Sequence, residues 1–193
     1  MLVIEDALFE TAVQQLRSLG FRDWTWSYGC VDPNFYQGRL KQNIYRSIVH
    51  EYSNLDQNSA RFLFPLEQQS TAKVVLLPFS YTHLHFELVS NNISSCDGNI
   101  YYPDGNVLLQ SFVQTLVRES VIGMWTSNLE MWSISYVYGE LMFDDDVLDS
   151  CNDEEAKAWF NKNIQRFDGG IDRFTCTKRL GRVGYDEALA RSP

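Results

Sequence analysis

The sequence has few of the residues, and none of the patterns, that mark common enzyme classes. It contains three histidines and four cysteines in 193 residues. The cysteines lie far apart and form no C-x-x-C pair of the kind that binds zinc or carries redox chemistry. No Walker loop, G-x-G-x-x-G, G-x-S-x-G or H-E-x-x-H motif occurs, so nucleotide-binding, serine-hydrolase and zincin chemistries lack their usual anchor. We expect no cofactor, and the pattern favours a protein that is not an enzyme.

Two further absences concern location. No apolar run approaches the roughly 20 residues that a membrane-spanning helix needs. The first ten residues, "MLVIEDALFE", carry acids where a signal peptide would carry bases. We therefore expect a cytoplasmic protein that contacts no membrane and keeps its cysteines reduced.

The feature that stands out is the uneven distribution of acids. Residues 140–155, "ELMFDDDVLDSCNDEE", contain eight acids and no Lys or Arg, and we call them the acidic segment. The rest of the chain has 17 acids against 16 Lys and Arg, so this segment carries nearly all of the net charge of -9. Nucleic-acid binding needs clustered Lys and Arg to displace counterions, which argues against a nucleic-acid partner. A basic protein is the partner that this segment predicts.

Apolar periodicity predicts an α+β fold in which an antiparallel β-sheet is packed by a few helices, within a single domain over residues 1–193. Apolar residues at steps of three and four predict helices, and alternation of apolar and polar residues predicts strands. The predicted helices are residues 4–19, 106–120 and 152–163. The predicted strands are residues 24–28, 44–52, 61–66, 73–79, 82–89, 129–138 and 140–144.

The stretch "THLHFE", residues 82–87, contains two of the three histidines. In a strand, His83, His85 and Glu87 would share one face, and imidazole with carboxylate suits zinc or iron. Three ligands at alternate positions of one strand span about 13 Å, which is too long for a single ion. His83 and His85 could still chelate as a pair, with a third ligand from His50 or from Asp144–Asp146. A half-buried strand whose other face enters the core explains the same pattern without a metal.

The acidic segment has ion-binding interpretations of its own. An EF-hand loop counted from Asp144 fits at positions one, three and twelve, but Leu148 and Asp149 stand where a ligand and the turn glycine belong. A looser carboxylate site for magnesium or calcium remains open, as does acid–base chemistry if one carboxylate is buried. A solvated strand end followed by a helix N-terminus also accounts for these acids.

Aromatic residues precede the acidic segment. In strand register Trp132, Tyr136 and Tyr138 would share one face, and Trp and Tyr are preferred anchors of protein interfaces. An aromatic surface rimmed by carboxylates would steer and then hold a basic partner. The predicted partner-binding residues are Trp132, Tyr136, Tyr138, Asp144, Asp145, Asp146 and Asp149. Burial of the aromatics in the core and a homodimer seam are the alternatives.

The run "MWTSNLEMWSISYVYGELMF" followed by the acidic turn resembles the immunity proteins of bacterial polymorphic toxin systems. The resemblance covers about residues 123–160. It implies a cytosolic inhibitor without catalysis, which neutralises a cognate toxin by covering a basic active site with carboxylates. Asp144, Asp145, Asp146 and Asp149 are the first candidates for toxin contact.

Metal content separates a binding module from the alternative function, a metal-assisted hydrolase that uses His83, His85 and acids of residues 144–149. For the binding module we expect no stoichiometric zinc, iron or manganese in protein purified without chelator, measured by mass spectrometry of the elements. A near-stoichiometric metal that disappears in the His83→Ala, His85→Ala double variant would instead contradict a pure binding module.

Overall fold

The computed structural model describes residues 1–36, 38–65, 72–84, 93–96, 100–138 and 147–164. Helices and strands both occur, and the predicted α+β class is confirmed. The chain divides into two compact units. The first comprises residues 1–91 and 119–128, and the second comprises residues 92–118 and 129–193. No helix in the described ranges is long and apolar enough to cross a bilayer.

A four-stranded sheet organises the first unit. Its strands are β1 (Leu2–Ile4), β2 (Arg22–Asp23), β3 (Ala60–Leu63) and β4 (Lys73–Pro78), in the order β1-β4-β3-β2. β2, β3 and β4 pair antiparallel, as predicted, whereas β1 adds to β4 in parallel with Leu2 opposite Leu76. The sheet is therefore mixed. Strand β1 can pair in parallel since it is followed by a helix and not by a hairpin.

Helix α1 (Phe9–Ser18) covers this sheet. It lies within the predicted helix 4–19, whose start is taken instead by β1 and a 3-10 turn, Asp6–Leu8. Its Val13 packs with Phe62 and Leu76 in the core of the first unit. The helix stops at Gly20, which has a φ of +86° and donates its N–H to the carbonyl of Arg17 at 3.0 Å.

The predicted strand over residues 44–52 is wrong, because these residues lie in helix α2 (Arg39–Glu51) and at its end. Helix α3 (Ser53–Gln57) follows directly. Tyr45, Ile48 and Tyr52 repeat at three and four residues, which is a helical period, whereas alternation would place only Ile48 and Tyr52 on one face. The backbone at Gly29 approaches so closely that a Cβ there would lie 2.5 Å from the ring of Tyr52. Tertiary packing therefore selects the helical period.

The predicted strand over residues 24–28 is also wrong. Trp24 donates its N–H to the carbonyl of Arg61 at 2.8 Å, and the chain then leaves the sheet for a turn in which Cys30 N–H donates to Ser27 O. The aromatic rings that suggested a strand surround a lysine instead, as described below.

The predicted strand over residues 82–89 is wrong in its described part, because β4 is followed by helix α4 (Phe79–Thr82). The Asp6 carboxylate accepts hydrogen bonds from the N–H and the hydroxyl of Ser80 and thereby holds the start of this helix. His83 then adopts a left-handed conformation with a φ of 54°. Residues 85–89 lie outside the described part of the chain.

Helices dominate the second unit. A hairpin of β5 (Ile93–Cys96) and β6 (Ile100–Pro103) precedes helix α5 (Gly105–Arg118), and helix α7 (Glu154–Asn163) closes the described part. These two helices confirm the predictions at 106–120 and 152–163. Helix α6 (Met124–Tyr138) contributes residues to both units and replaces the strand predicted at 129–138. The strand predicted at 140–144 lies outside the described residues.

The burial pattern of α6 explains this error. Leu129, Ser133 and Val137 are buried and recur every four residues, which is a helical period. Val137 joins the core of the second unit with Val113 of α5 and Phe160 of α7. The β-branched and aromatic residues that favour strands by propensity are therefore overridden by packing.

Burial predicts the cost of core substitutions. Phe62 is completely buried, whereas Phe35 is 55% exposed. We expect Phe62→Ala to lower the free energy of unfolding by about 3–5 kcal/mol through lost burial and a residual cavity. The matched substitution Phe35→Ala should cost well under half as much. Urea unfolding followed by circular dichroism measures both, and equal losses would contradict this core assignment.

Candidate functional site

The predicted partner-binding residues are described only in part. Trp132 and Tyr136 lie on α6, and Asp149 lies in the turn before α7. Tyr138 is the last residue of α6, and its side chain lies outside the described part. Asp144, Asp145 and Asp146 also lie outside the described residues. Their role in a partner surface therefore stays a prediction.

Trp132 and Tyr136 pack on Phe112 of α5, and we call these three residues the aromatic group. The ring centroids of Trp132 and Phe112 are 5.4 Å apart, and those of Tyr136 and Phe112 are 5.7 Å apart in an edge-on arrangement. Trp132 and Tyr136 share a face because they are one helical turn apart, and not because side chains alternate along a strand. Trp132 remains 36% exposed.

The turn that carries Asp149 is held along a different part of α5. The side-chain amide of Gln110 donates to Val147 O at 3.5 Å and to the hydroxyl of Ser150 at 3.3 Å. One helical turn later, Gln114 donates to the sulfur of Cys151 at 3.5 Å. Leu148 and Cys151 are buried, whereas Asp149 is exposed. The turn thus anchors its apolar side chains and leaves its carboxylate in water.

Asp153 ends this turn and caps α7. One of its carboxylate oxygens accepts the N–H groups of Glu155 and Ala156, both at 3.1 Å. The other oxygen lies 2.5 Å from the guanidinium of Arg118 on α5. Burial of the carboxyl group opposes its ionisation, but the hydrogen bonds from Ala156 and Arg118 outweigh burial and hold the pKa of Asp153 below its usual value. Asp153 is thus a structural acid of the acidic segment.

The remaining described acids of the acidic segment face solvent. Glu154 is paired with Lys157 at 2.6 Å, although its own side chain is 84% exposed. That hydrogen bond raises the pKa of Lys157. Asp149 and Glu155 are exposed, and among the described residues no Lys or Arg forms a salt bridge with either. Asp149 nonetheless acts on a cation of its own chain, because its charge contributes to the raised pKa of Lys157.

The aromatic group and the turn with Asp149 contact α5 on opposite sides. Phe112 lies two residues from Gln110 and two from Gln114, which is about 200° around a helix. The described residues therefore do not bring Asp149 onto the same face as Trp132. An acidic rim for the aromatic group would have to come from Asp144–Asp146, outside the described residues.

The strand on which the predicted pair of His83 and His85 depended does not begin at residue 82. His83 follows α4 in a left-handed conformation instead of lying on a strand, so alternation no longer places it beside His85. His85 and Glu87 lie outside the described residues, and His50 lies in the last turn of α2. Within the described ranges, no group of three or more His, Cys, Asp or Glu is arranged to hold a metal ion.

Two polar clusters of the first unit escaped the sequence analysis. The ammonium of Lys73 donates to the carbonyls of Tyr28 at 2.9 Å and Cys30 at 2.6 Å, and it lies 4.7 Å from the ring centroid of Trp24. Burial lowers the pKa of Lys73. The only hint in the sequence was a lysine that opens the otherwise apolar strand "KVVLLP". This cation ties the Trp24–Cys30 loop to the sheet.

The second cluster joins a phenol, an indole and a carboxylate. The hydroxyl of Tyr81 donates to Glu119 at 2.7 Å and accepts the indole N–H of Trp125 at 2.8 Å. Tyr81 and Trp125 are 8% and 2% exposed. Burial, together with the neighbouring Glu119 carboxylate, raises the pKa of Tyr81 far above its usual value. Since its hydroxyl stays protonated, Tyr81 keeps donating to Glu119 while it accepts from Trp125, and the three side chains are held together.

Comparison of the chain with protein-family models, curated proteins and solved structures found no significant match. The function is therefore inferred from the residues of this chain. The described residues offer exposed carboxylates at Asp149 and Glu155 and a partly exposed indole at Trp132.

The two roles of Asp153 can be separated by substitution. Asp153→Ala removes the cap and the ion pair, and we expect it to lower the free energy of unfolding by about 1–2 kcal/mol. Asp153→Asn retains a capping oxygen and should cost less. Because the folded-state pKa of Asp153 is depressed, its charge stabilises the fold above the unfolded pKa of about 3.9. That contribution disappears as the pH falls through the folded-state pKa.

Urea unfolding at pH 7 and at several lower pH values measures these effects. The stability difference between wild type and Asp153→Asn should shrink as the pH falls. A difference that stays constant across this range would show that the charge of Asp153 contributes nothing.

Proposed function

We propose that this chain is a protein-binding module that inhibits a basic partner, in the manner of an immunity protein. It would act in the cytoplasm on a cognate toxin or enzyme. The acidic segment would cover a cationic surface of the partner, and the aromatic residues would supply apolar contact. Asp144, Asp145, Asp146 and Asp149 are the proposed charged contacts, and Trp132, Tyr136 and Tyr138 the proposed aromatic ones.

The main support is the concentration of charge. Eight acids without a single Lys or Arg occupy residues 140–155 of a chain that is otherwise near neutral. At physiological ionic strength the screening length is about 8 Å, so a compact cluster acts on a nearby partner far more strongly than dispersed charges do. Such a cluster speeds encounter with a cationic surface and discriminates against anionic ones.

The environment of individual acids is consistent with this role. Asp153 is engaged within the fold, because it pairs with Arg118 and caps the start of α7. Glu154 is paired with Lys157. Asp149 instead projects from a turn whose backbone is anchored by Gln110. A charge held on an anchored turn loses less conformational freedom when it binds than a charge on a loose loop.

Affinity capture tests the proposal. The bait is the full chain, exposed to lysate of the source organism at low salt and washed with rising salt, beside a variant with Asp144, Asp145, Asp146 and Asp149 changed to Asn. We expect wild type to retain one basic protein and the variant to lose it. The purified partner should then lose its own activity when wild type is added, and keep that activity with the variant.

A matched control separates the acidic segment from overall charge. The substitutions Glu10→Gln, Asp23→Asn, Asp32→Asn and Asp104→Asn remove the same four charges from exposed positions elsewhere. This control should retain the partner like wild type. Equal loss in both variants would mean that only net charge matters. If wild type retains no basic protein, or retains one without inhibiting it, the proposed inhibition is wrong.

A further inference from the structure

Four aromatic rings follow one another in contact across the first unit. The series runs Trp26, Tyr45, Tyr36, Phe35, with successive ring centroids 5.1, 5.4 and 5.3 Å apart. Three of these residues belong to the segment that precedes α2, and Tyr45 belongs to α2 itself. We call these four residues the aromatic series.

The rings of the aromatic series contact one another without being buried. Phe35 is exposed, and the other three are half-buried. The rings of Tyr52 and Trp125 also contact each other, but they are buried and belong to the core. Contacting rings that stay accessible form a contiguous apolar patch, and such patches mark interaction sites more than scattered apolar residues do.

Hydrogen bonds fix the backbone that carries the aromatic series. The hydroxyl of Tyr45 accepts the N–H of Ser27 at 3.1 Å and thereby joins α2 to the preceding segment. Asp32 accepts the N–H of Asn34 at its carboxylate and the N–H of Phe35 at its carbonyl, at 2.9 and 3.1 Å. These bonds hold the 3-10 turn Pro33–Tyr36. A surface that is fixed before binding loses little conformational freedom when a ligand arrives.

The polar groups at the edges of the aromatic series are hydrogen-bond donors. Among the described residues, neither the indole N–H of Trp26 nor the hydroxyl of Tyr36 has a hydrogen-bond partner. An indole can only donate. Burial, followed by nearby charges that include Asp32, raises the pKa of Tyr36, so its hydroxyl keeps its proton at neutral pH. The matching ligand therefore offers free acceptors together with apolar surface.

A negative charge lies beside these donors. The carboxylate of Asp32 is exposed, and its charge reaches Tyr36. Within the part of the chain that the structure describes, Asp32 forms no salt bridge. The ammonium of Lys41 lies instead 4.7 Å from the ring centroid of Phe35, at the end of the series. Asp32 is therefore complementary to a cation supplied by the ligand.

A proline-rich peptide has the properties that this surface requires. A polyproline II helix makes no internal hydrogen bonds, so its carbonyls are free to accept, and its proline rings are apolar. Because its conformation is already restricted, it loses little entropy when it binds to aromatic rings.

We propose that the aromatic series binds a proline-rich segment of another protein that carries Arg or Lys beside its prolines. The prolines would pack against the rings, Trp26 and Tyr36 would donate to peptide carbonyls, and Asp32 would pair with the cation. This chain cannot supply the segment itself, because its five prolines lie far apart, at positions 33, 65, 78, 103 and 193. The proposal does not rest on the proposed inhibition.

Calorimetric titration of the full chain with three synthetic peptides tests the proposal. The first is a polyproline peptide that ends in two arginines, the second ends in two glutamines, and the third ends in two arginines but has alanine at every proline position. We expect the first peptide to bind, and the second to bind about threefold more weakly because an exposed ion pair is lost. The alanine peptide should bind about tenfold more weakly or worse, since it offers no preformed apolar rings.

Substitutions in the chain separate the three kinds of contact. Trp26→Ala removes an anchoring ring and should weaken binding of the first peptide about tenfold or more. Tyr36→Phe keeps the ring, loses the donor and should weaken binding about fivefold. Asp32→Asn retains an oxygen for the N–H of Asn34, and it should weaken only the arginine peptide, to the level of the glutamine peptide. Circular dichroism of each variant establishes that the fold is retained.

Controls define the remaining outcomes. Trp132→Ala removes an aromatic ring of the second unit and should leave peptide binding unchanged. The proposal is wrong if wild type binds neither proline peptide, or binds the alanine peptide equally well, or loses binding in Trp132→Ala. Binding of tetramethylammonium chloride without binding of either proline peptide would overturn it in favour of a cation-binding cage. No partner of the acidic segment is present in these titrations, so their outcome is independent of the proposed inhibition.

Discussion

The carboxylate of Asp153 joins helices α5 and α7 of the second unit. It follows the turn within the acidic segment, caps α7 through two backbone N–H groups, and binds Arg118 at the end of α5. A helix N-terminus needs acceptors for its free N–H groups, and a carboxylate also complements the helix dipole. One acid thereby joins two helices, and the core residues Val113 and Phe160 meet between them.

This arrangement divides the acids of the segment into two kinds. Asp153 contributes to folding because desolvation is offset by hydrogen bonds and a nearby cation. Asp149 and Glu155 contribute nothing comparable to the described structure, since both are exposed.

In the first unit, cations instead of a carboxylate make the polar contacts that join distant parts of the chain. Lys73 is enclosed by two carbonyls and two aromatic rings, and Arg61 is bound to Asp56. These cations hold the Trp24–Cys30 loop and its surroundings in place, because a buried charge is stable only when its donors are satisfied. Lys41 and Arg46 lack such enclosure: both are exposed, Lys41 beside the ring of Phe35 and Arg46 donating to Asn43 within the same helix.

The sequence by itself determined the α+β class, the charge of the acidic segment, α1, α5, α7 and the strands β3 and β4. Each of these has one dominant period or a recognisable terminus, such as the acids at the start of α7. Only the tertiary structure decided residues 44–52 and 129–138, where the pairs Ile48 with Tyr52 and Leu129 with Val137 fit both a strand and a helix. Local alternation is compatible with either period, and the packing partner selects the one whose side chains it can bury. The polar contacts of Asp153 and Lys73 likewise depend on residues distant in the sequence, and no local pattern encodes which distant residues meet.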